Sequence, residues 1–249
     1  MIDTPPSTLT AVPAGAPAFL GEVTGTRPGH GEADLPWLRS VAHRVQDSPG
    51  VFLSWLEEIL GDEEAVRAAA KRSYWHPNGF AKMVLHASPD FRIRLHVWPE
   101  SAEPSRGESN PHSHRWEFAS TIVAGEGLHM VEFHETADGG EPYDRYRYGA
   151  DPANPAALLA DGEARLEVDK TPDVRLGDVY TCDTAVVHTV RPIAAGLTAT
   201  VVIQGPHRTS TTVVYCEPGE SDDQPNGELT ESDFRDLVGS VAKAVASCR

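Results

Sequence analysis

A chain of 249 residues with 40% hydrophobic content is sized for one substantial core with extensions, and its formal net charge of −16 argues against binding a nucleic-acid backbone or an anionic membrane surface. No apolar run approaches the roughly 20 residues that cross a bilayer, and Met1-Ile-Asp-Thr-Pro-Pro lacks the basic start and apolar core of a signal peptide. Three cysteines, Cys182, Cys216 and Cys248, make no disulfide framework, so the expectation is a protein of the reducing cytoplasm.

Residues 1–33, rich in Pro, Gly, Ala and Thr, read as an irregular arm, with a short edge strand at Ala18–Val23 as the one ordered element to expect. From 34 to 79 the pattern is helical. Asp34 caps a segment with Pro36 in its first turn and an apolar stripe of Leu35, Leu38, Val41, Ala42 and Val45. Ser48-Pro49-Gly50 breaks it, Val51–Leu60 forms a second helix, and Asp62 caps a third that ends near Ser73. A stretch this short buries little alone, so it is expected to pack on the outside of a main domain.

That domain is expected over 80–216. Ala81–His86 is a strand, Ser88-Pro89-Asp90 a turn. Phe91–Trp98 alternates Phe91, Ile93, Leu95 and Val97 against Arg92, Arg94, His96 and Trp98. Either the polar face meets water, or it lines the interior of a small barrel that holds a site, with Arg94 and His96 aimed inward. Pro99–Pro111 reads as a polar loop. It leads into Asn110-Pro-His-Ser-His-Arg-Trp-Glu-Phe, where a side-chain period of two puts His112 and His114 on one strand face with Trp116, Phe118 and Ser120. Arg115, Glu117 and Ala119 take the other face. Phe118–Ala124 is strand and Gly125–Gly127 its hairpin turn.

Two histidines on one face are half of a metal site, and the best supplier of a third ligand is His188, in a Gly177-Asp178 turn, strand, turn, strand sequence. His129 and His134, on the returning strand Leu128–His134, read instead as structural histidines or pocket wall. Tyr143–Tyr148 is an edge strand or an aromatic-basic loop, too isolated in an acidic chain to serve as an RNA-stacking platform. Residues 151–159 form a loop with room for a short helix. Ala164–Lys170, Leu197–Gln204 and Thr209–Cys216 complete a set of short strands with no βαβ spacing. The fold class is therefore all-β, an antiparallel double-layered barrel. Residues 217–249 are an acidic loop and a helix opened by Thr230-Glu-Ser-Asp233, with Phe234, Leu237, Val238, Val241 and Val245 on its apolar face.

The His112/His114 and Gly177–His188 segments resemble the two motifs of the cupin superfamily, a jelly-roll double-stranded β-helix. Gly125 or Gly127 stands for the glycine that closes the first motif, and Gly177-Asp178 opens the second. The family carboxylate falls later than Glu117, where this chain has Phe118 and Ala119, neither able to ligate. The departure makes the chain similar to the three-histidine, cysteine-dioxygenase-like branch. What the resemblance implies is an enzyme with metal at His112, His114 and His188, most simply Fe(II) with O2 as co-substrate, and a homodimer paired through edge strands. Zn(II), Ni(II) and Mn(II) suit the same donors.

In that branch an arginine on a strand upstream of the histidine pair receives a substrate carboxylate. Arg94 is the matching position, with Arg92 its rival. Trp116, Phe118, Arg92 and His96 are then pocket residues, and Tyr180 a hydrogen-bond donor to bound oxygen. Cys182 lies outside the position of the branch's thioether cysteine, which Ala119 and Ser120 occupy, so no crosslink is expected. The implied activity is oxygenation of a small carboxylate- or amine-bearing metabolite. A non-redox lyase, isomerase or hydrolase and a non-enzymatic ligand-binding cupin are the alternatives.

Overall fold

A computed structural model describes residues 18–25, 34–100, 108–149, 157–220 and 226–247. In chain order the elements are α1 (Ala18–Gly25), α2 (Leu35–Asp47), α3 (Pro49–Gly61), α4 (Glu63–Ala70), β1 (Tyr74–His76), β2 (Phe80–Ala87), β3 (Arg92–Trp98), β4 (Glu108–His112), β5 (Trp116–Ala124), β6 (Gly127–Glu135), β7 (Glu141–Tyr148), β8 (Leu158–Lys170), β9 (Asp173–Arg175), β10 (Val179–Cys182), β11 (Val187–Pro192), β12 (Thr198–His207), β13 (Thr212–Cys216), β14 (Gly227–Glu228) and α5 (Glu231–Ser247).

The helices begin where side chains satisfy their free amides. Asp34 accepts from Trp37 N at 3.0 Å, and Asp62 from Glu64 N and Ala65 N. At α5, Thr230 N donates to the Asp233 carboxylate while Asp233 N donates to Thr230 Oγ1. The expected edge strand at Ala18–Val23 is instead helix α1. Phe19 and Val23, one turn apart, are both buried, and Phe19 stacks on Trp55 of α3 at 4.9 Å. Residues four apart share a face in a helix and in a strand alike, so these two positions alone do not separate the two.

Two seven-stranded sheets follow. The first has the order β10-β5-β12-β3-β2-β1-β14; the second runs β11-β4-β13-β7-β8-β6-β9 and curls so that β11 also pairs with β6. This corrects the expected jelly-roll barrel. The architecture is a cupin-like pair of sheets with flanking helices, and the sheets do not close on one another. Among the described residues the first sheet is open at β10 and β14, and no ladder joins it to the second. The reason lies at the corners. Among the described residues the chain passes between the sheets at 113–115, 125–126, 176–178, 183–186, 193–197 and 208–211, and the paired strands end at each of them. The sheets are thus connected there by chain and packing rather than by rows of hydrogen bonds.

Other expectations shift with it. Glu108–His112 is strand rather than loop, and β7 is an interior strand between β13 and β8 rather than an edge. Of the loop at 151–159, residues 151–156 lie outside the described set, as do 1–17 of the arm. No helix among the described residues is long and apolar enough to cross a membrane.

The main hydrophobic core lies between the helices and the first sheet. Ile93, Leu95 and Val97 of β3 join Ala199, Val201 and Ile203 of β12 there, against Leu38, Val41, Phe52, Trp55 and Phe234. The opposite face of the same strands meets the second sheet, where Phe80, Trp98 and Ile122 pack with Leu128, Met130, Val174 and Val190. Both faces of the first sheet are buried. Gly127, at φ +126°, makes the tight return from β5 to β6: a Cβ there would run into the Val174 carbonyl oxygen.

Candidate metal centre

His112 ends β4, and His188 on β11 is its directly opposed partner in the antiparallel ladder. Directly opposed residues send their side chains to the same face, about 5 Å apart, so the register alone makes the two rings neighbours. His114 lies two residues on, in the corner leading to β5. The ring centroids stand 4.8 Å apart for His112–His114 and 5.2 Å for each ring against His188. The nitrogens His114 Nε2 and His188 Nε2 approach to 3.0 Å. One ligand atom from each of the three lies within 4.8 Å of the others, and His188 is buried.

Protonation follows from partners. His112 Nδ1 faces the Asn110 carbonyl oxygen at 2.9 Å. A carbonyl only accepts, so Nδ1 donates its proton there and Nε2 keeps the lone pair. A divalent metal fits this arrangement. Imidazole nitrogens about 2.1 Å from one ion, at right angles to each other, are separated by about 3 Å, the distance between the two Nε2 atoms.

Glu117 takes no part in the cluster. Its carboxylate is 3.1 Å from Arg208 Nε, on the other side of the strand. Among the described residues the ligand group is His112, His114 and His188, with no carboxylate. Nor do His129 and His134 join it: His129 Nδ1 pairs with Asp173 at 2.9 Å, and His134 lies 3.9 Å from Glu167.

Aromatic rings wall the triad. Phe118 stands edge-on to His114 at 5.1 Å and lies 6.0 Å from His188; Trp116 is 5.5 Å from His114. Tyr180 of β10 meets Phe118 edge-on at 6.0 Å. Arg94 is buried, and its guanidinium sits over the Trp116 ring at 5.4 Å, in cation–π range. Of the two readings of β3, the inward one therefore describes Arg94. Its neighbours on that face, Arg92 and His96, are partly exposed.

Several residues near the triad were given no role from the sequence. Cys182 Sγ lies 3.8 Å from His188 Nδ1, and burial pushes its thiol pKa up, which keeps it protonated. Thr200 and Gln204 share the inward face of β12 with Val202, and Ser120 that of β5. The alternation Thr198, Thr200, Val202, Gln204 was the available signal. It was masked by the apolar residues between them, which belong to the helix side.

Two facing antiparallel sheets, a His-X-His pair at a corner between them and a third histidine from an opposed strand define the class: a cupin-like protein with a three-histidine metal-binding triad. No protein-family model matches the chain, and no curated protein matches it. Solved structures give low-level likenesses. An uncharacterized conserved protein with a double-stranded β-helix domain from Klebsiella pneumoniae is 11% identical, over 59% of this chain and 94% of that one, with a TM-score of 0.32. An RmlC-like cupin protein from Desulfovibrio desulfuricans is 18% identical over 53% and 87%, at a TM-score of 0.29. A sugar phosphate isomerase of the cupin superfamily from Silicibacter pomeroyi is 16% identical over 58% and 66%, at 0.32. Likenesses this distant carry no argument about activity.

Proposed function

We propose that the chain is a non-haem Fe(II)-dependent oxygenase that acts with O2 on a small carboxylate- or amine-bearing molecule. The observation that carries this reading is the donor set: among the described residues, three imidazoles and no carboxylate, with a buried arginine on the adjoining inner face. Neutral ligands leave a divalent ion its full +2 charge and open positions. When bound, Fe(II) supplies the sites at which O2 and substrate meet and the electrons that O2 accepts.

The chain's own residues do the rest. His112, His114 and His188 hold the ion, and the Asn110 carbonyl fixes the tautomer of His112. Arg94 receives the substrate carboxylate by its planar fork, and the Trp116 face beneath it restricts its orientation. Phe118 and Trp116 keep water from the reacting atoms. Tyr180, edge-on to Phe118, would donate a hydrogen bond from its phenol to the bound reactants. On the same face as Arg94, Arg92 stands in the row of Gln204 and Phe118 and His96 in the row of Thr200 and Ile122, one on each side of Arg94.

Oxygen uptake by anaerobically purified, Fe(II)-loaded protein against a panel of small acids and amines tests the reading. Uptake that requires both Fe(II) and substrate supports it. Turnover without oxygen on Zn(II) or Ni(II) would replace it with a non-redox lyase, isomerase or hydrolase, and tight binding without turnover on any metal with a ligand-binding cupin. Arg94→Met should raise KM for a carboxylate substrate by roughly 100-fold, and Arg94→Lys should recover only part of that because the fork is lost.

A further inference from the structure

The inner face of the first sheet holds four polar side chains that neither the triad nor its aromatic wall employs. Ser120 is 0% exposed, Thr200 1%, Gln204 2% and Trp98 2%. Among the described residues, Ser120 Oγ, Thr200 Oγ1, Gln204 Oε1 and Trp98 Nε1 have no hydrogen-bond partner. One such atom is common in a folded chain, but four on one face of one sheet, next to a metal centre, are not what packing requires.

The ladder registers order them. Gln204 stands opposite Phe118, the ring that packs on His114 and His188. One row farther along the same face, Val202 lies between Ser120 and Arg94, and Tyr180 is opposite Ser120. In the next row Thr200 lies between Ile122 and His96, and beyond it comes Trp98, opposite Thr198. At about 3.3 Å per residue, Gln204 and Thr200 are roughly 13 Å apart, with Arg94 in the row between them. The four groups form a polar track that leads away from the triad past the buried arginine.

Their chemistry is complementary to one kind of ligand. An indole N–H only donates, an amide oxygen only accepts, and a hydroxyl does both. A molecule that satisfies the track must present donors and acceptors along its length. We propose that Ser120, Thr200, Gln204 and Trp98 form a binding track for the hydroxyl- or amide-bearing body of the substrate, so that the substrate class is a polyfunctional hydrophilic acid rather than an alkyl or aryl acid. This rests on the reading of the triad and Arg94 as the active site. A site built to hydrogen-bond its ligand discriminates strongly against analogues that lack those groups, because its own buried polar atoms are then left unpaired.

The test uses Zn(II)-loaded full-length protein and calorimetric binding, so that it does not depend on oxygen chemistry. The probes are gluconate and N-acetylglutamine, against hexanoate and phenylacetate as apolar acids of the same charge. At least one of the first pair should bind 30-fold or more tighter than both of the second. Thr200→Val and Gln204→Leu should each remove at least 10-fold of that preference, with Zn(II) content unchanged and the Tm of the ligand-free protein equal or higher. Replacing an unpartnered buried polar group by an apolar one of similar shape relieves the folded state, whereas a structural role would show as a lower Tm with the preference intact. Equal binding of both classes, failure of gluconate and N-acetylglutamine to bind, or variants that keep the full preference would overturn the proposal. Hydrophilic acids that bind without Fe(II)-dependent oxygen uptake would sink the oxygenase reading and leave the track standing. Oxygen uptake with alkyl acids alone would do the reverse.

Discussion

Removing His188 and neutralising Glu117 should have opposite consequences for metal binding. A metal that binds only the folded state stabilises it by mass action. At 100 times its Kd, Zn(II) adds about 2.7 kcal/mol. A chain of this size gains roughly 2–4 °C in Tm per kcal/mol, so Zn(II) should raise Tm by about 5–10 °C over the chelated protein. His188→Ala deletes one of two nitrogens that stand 3.0 Å apart and leaves only two ligands. If Kd then rises by roughly 100-fold, the same Zn(II) concentration adds only about 0.4 kcal/mol and shifts Tm by about 1 °C. The substitution also opens a cavity at a buried position, worth about 2 kcal/mol in the chelated protein. Each variant is therefore compared with its own chelated form. Glu117→Gln removes an exposed ion pair with Arg208, costs less than about 1 kcal/mol, and should keep the full Zn(II) shift. Differential scanning fluorimetry with and without chelator, with metal analysis alongside, reads all of this. A lost shift in Glu117→Gln, or an intact one in His188→Ala, refutes the three-histidine centre.

Gly127→Ala forces a side chain into a left-handed backbone position and onto the Val174 carbonyl, and should cost roughly 3–5 kcal/mol by urea denaturation. His86 is partly buried beside Arg72, with its Nε2 out of solvent, and desolvation first, then that charge, hold its pKa down to about 4 against an ordinary 6.5. Between those pH values the unfolded state takes up a proton that the folded state refuses. Stability is therefore full above pH 6.5 and falls by roughly 3 kcal/mol as the pH drops through the window, and His86→Gln should flatten that part of the denaturation profile. Asp62→Ala should cost about 1 kcal/mol, seen as a lower Tm, because two amides at the start of α4 lose their acceptor.

What was legible in the sequence was what local chemistry decides. Asp34, Asp62 and the Thr230–Asp233 pair announce helix starts because short acceptors beside free amides have few other uses. The period of two in Phe91–Trp98 announces a strand, and His-X-His with a distant histidine announces a candidate ligand set. Three things were hidden. Helix α1 rests on just Phe19 and Val23, too few apolar positions to separate a helix from an edge strand before α3 is in place. Barrel closure depends on hydrogen bonds between strands far apart in the chain, and alternation within one strand carries no information about them. The inward side of β12 was obscured because Val201 and Ile203 on the helix side and Val202 on the site side are all β-branched and apolar, so the run reads as a strand with no distinct faces.

That last ambiguity has a single physical origin. Alternation is ordinarily read as core against water, but the first sheet is covered twice, by helices on one face and by the second sheet on the other. Its helix side carries the main core, with Ile93, Leu95, Val97, Val201 and Ile203 packed against the helices. Because that face supplies so much apolar burial, the other can hold Arg94, Ser120, Thr200 and Gln204 out of water, a set that would be costly in a sheet with only one core. Stability and chemistry are thus assigned to opposite sides of the same strands, at alternate residues. The triad sits where the second sheet meets the polar side, and its histidines come from a corner and from the strand opposed to it. A charged residue on β3 therefore marks the side that faces the metal centre, where the usual expectation would have placed it in solvent.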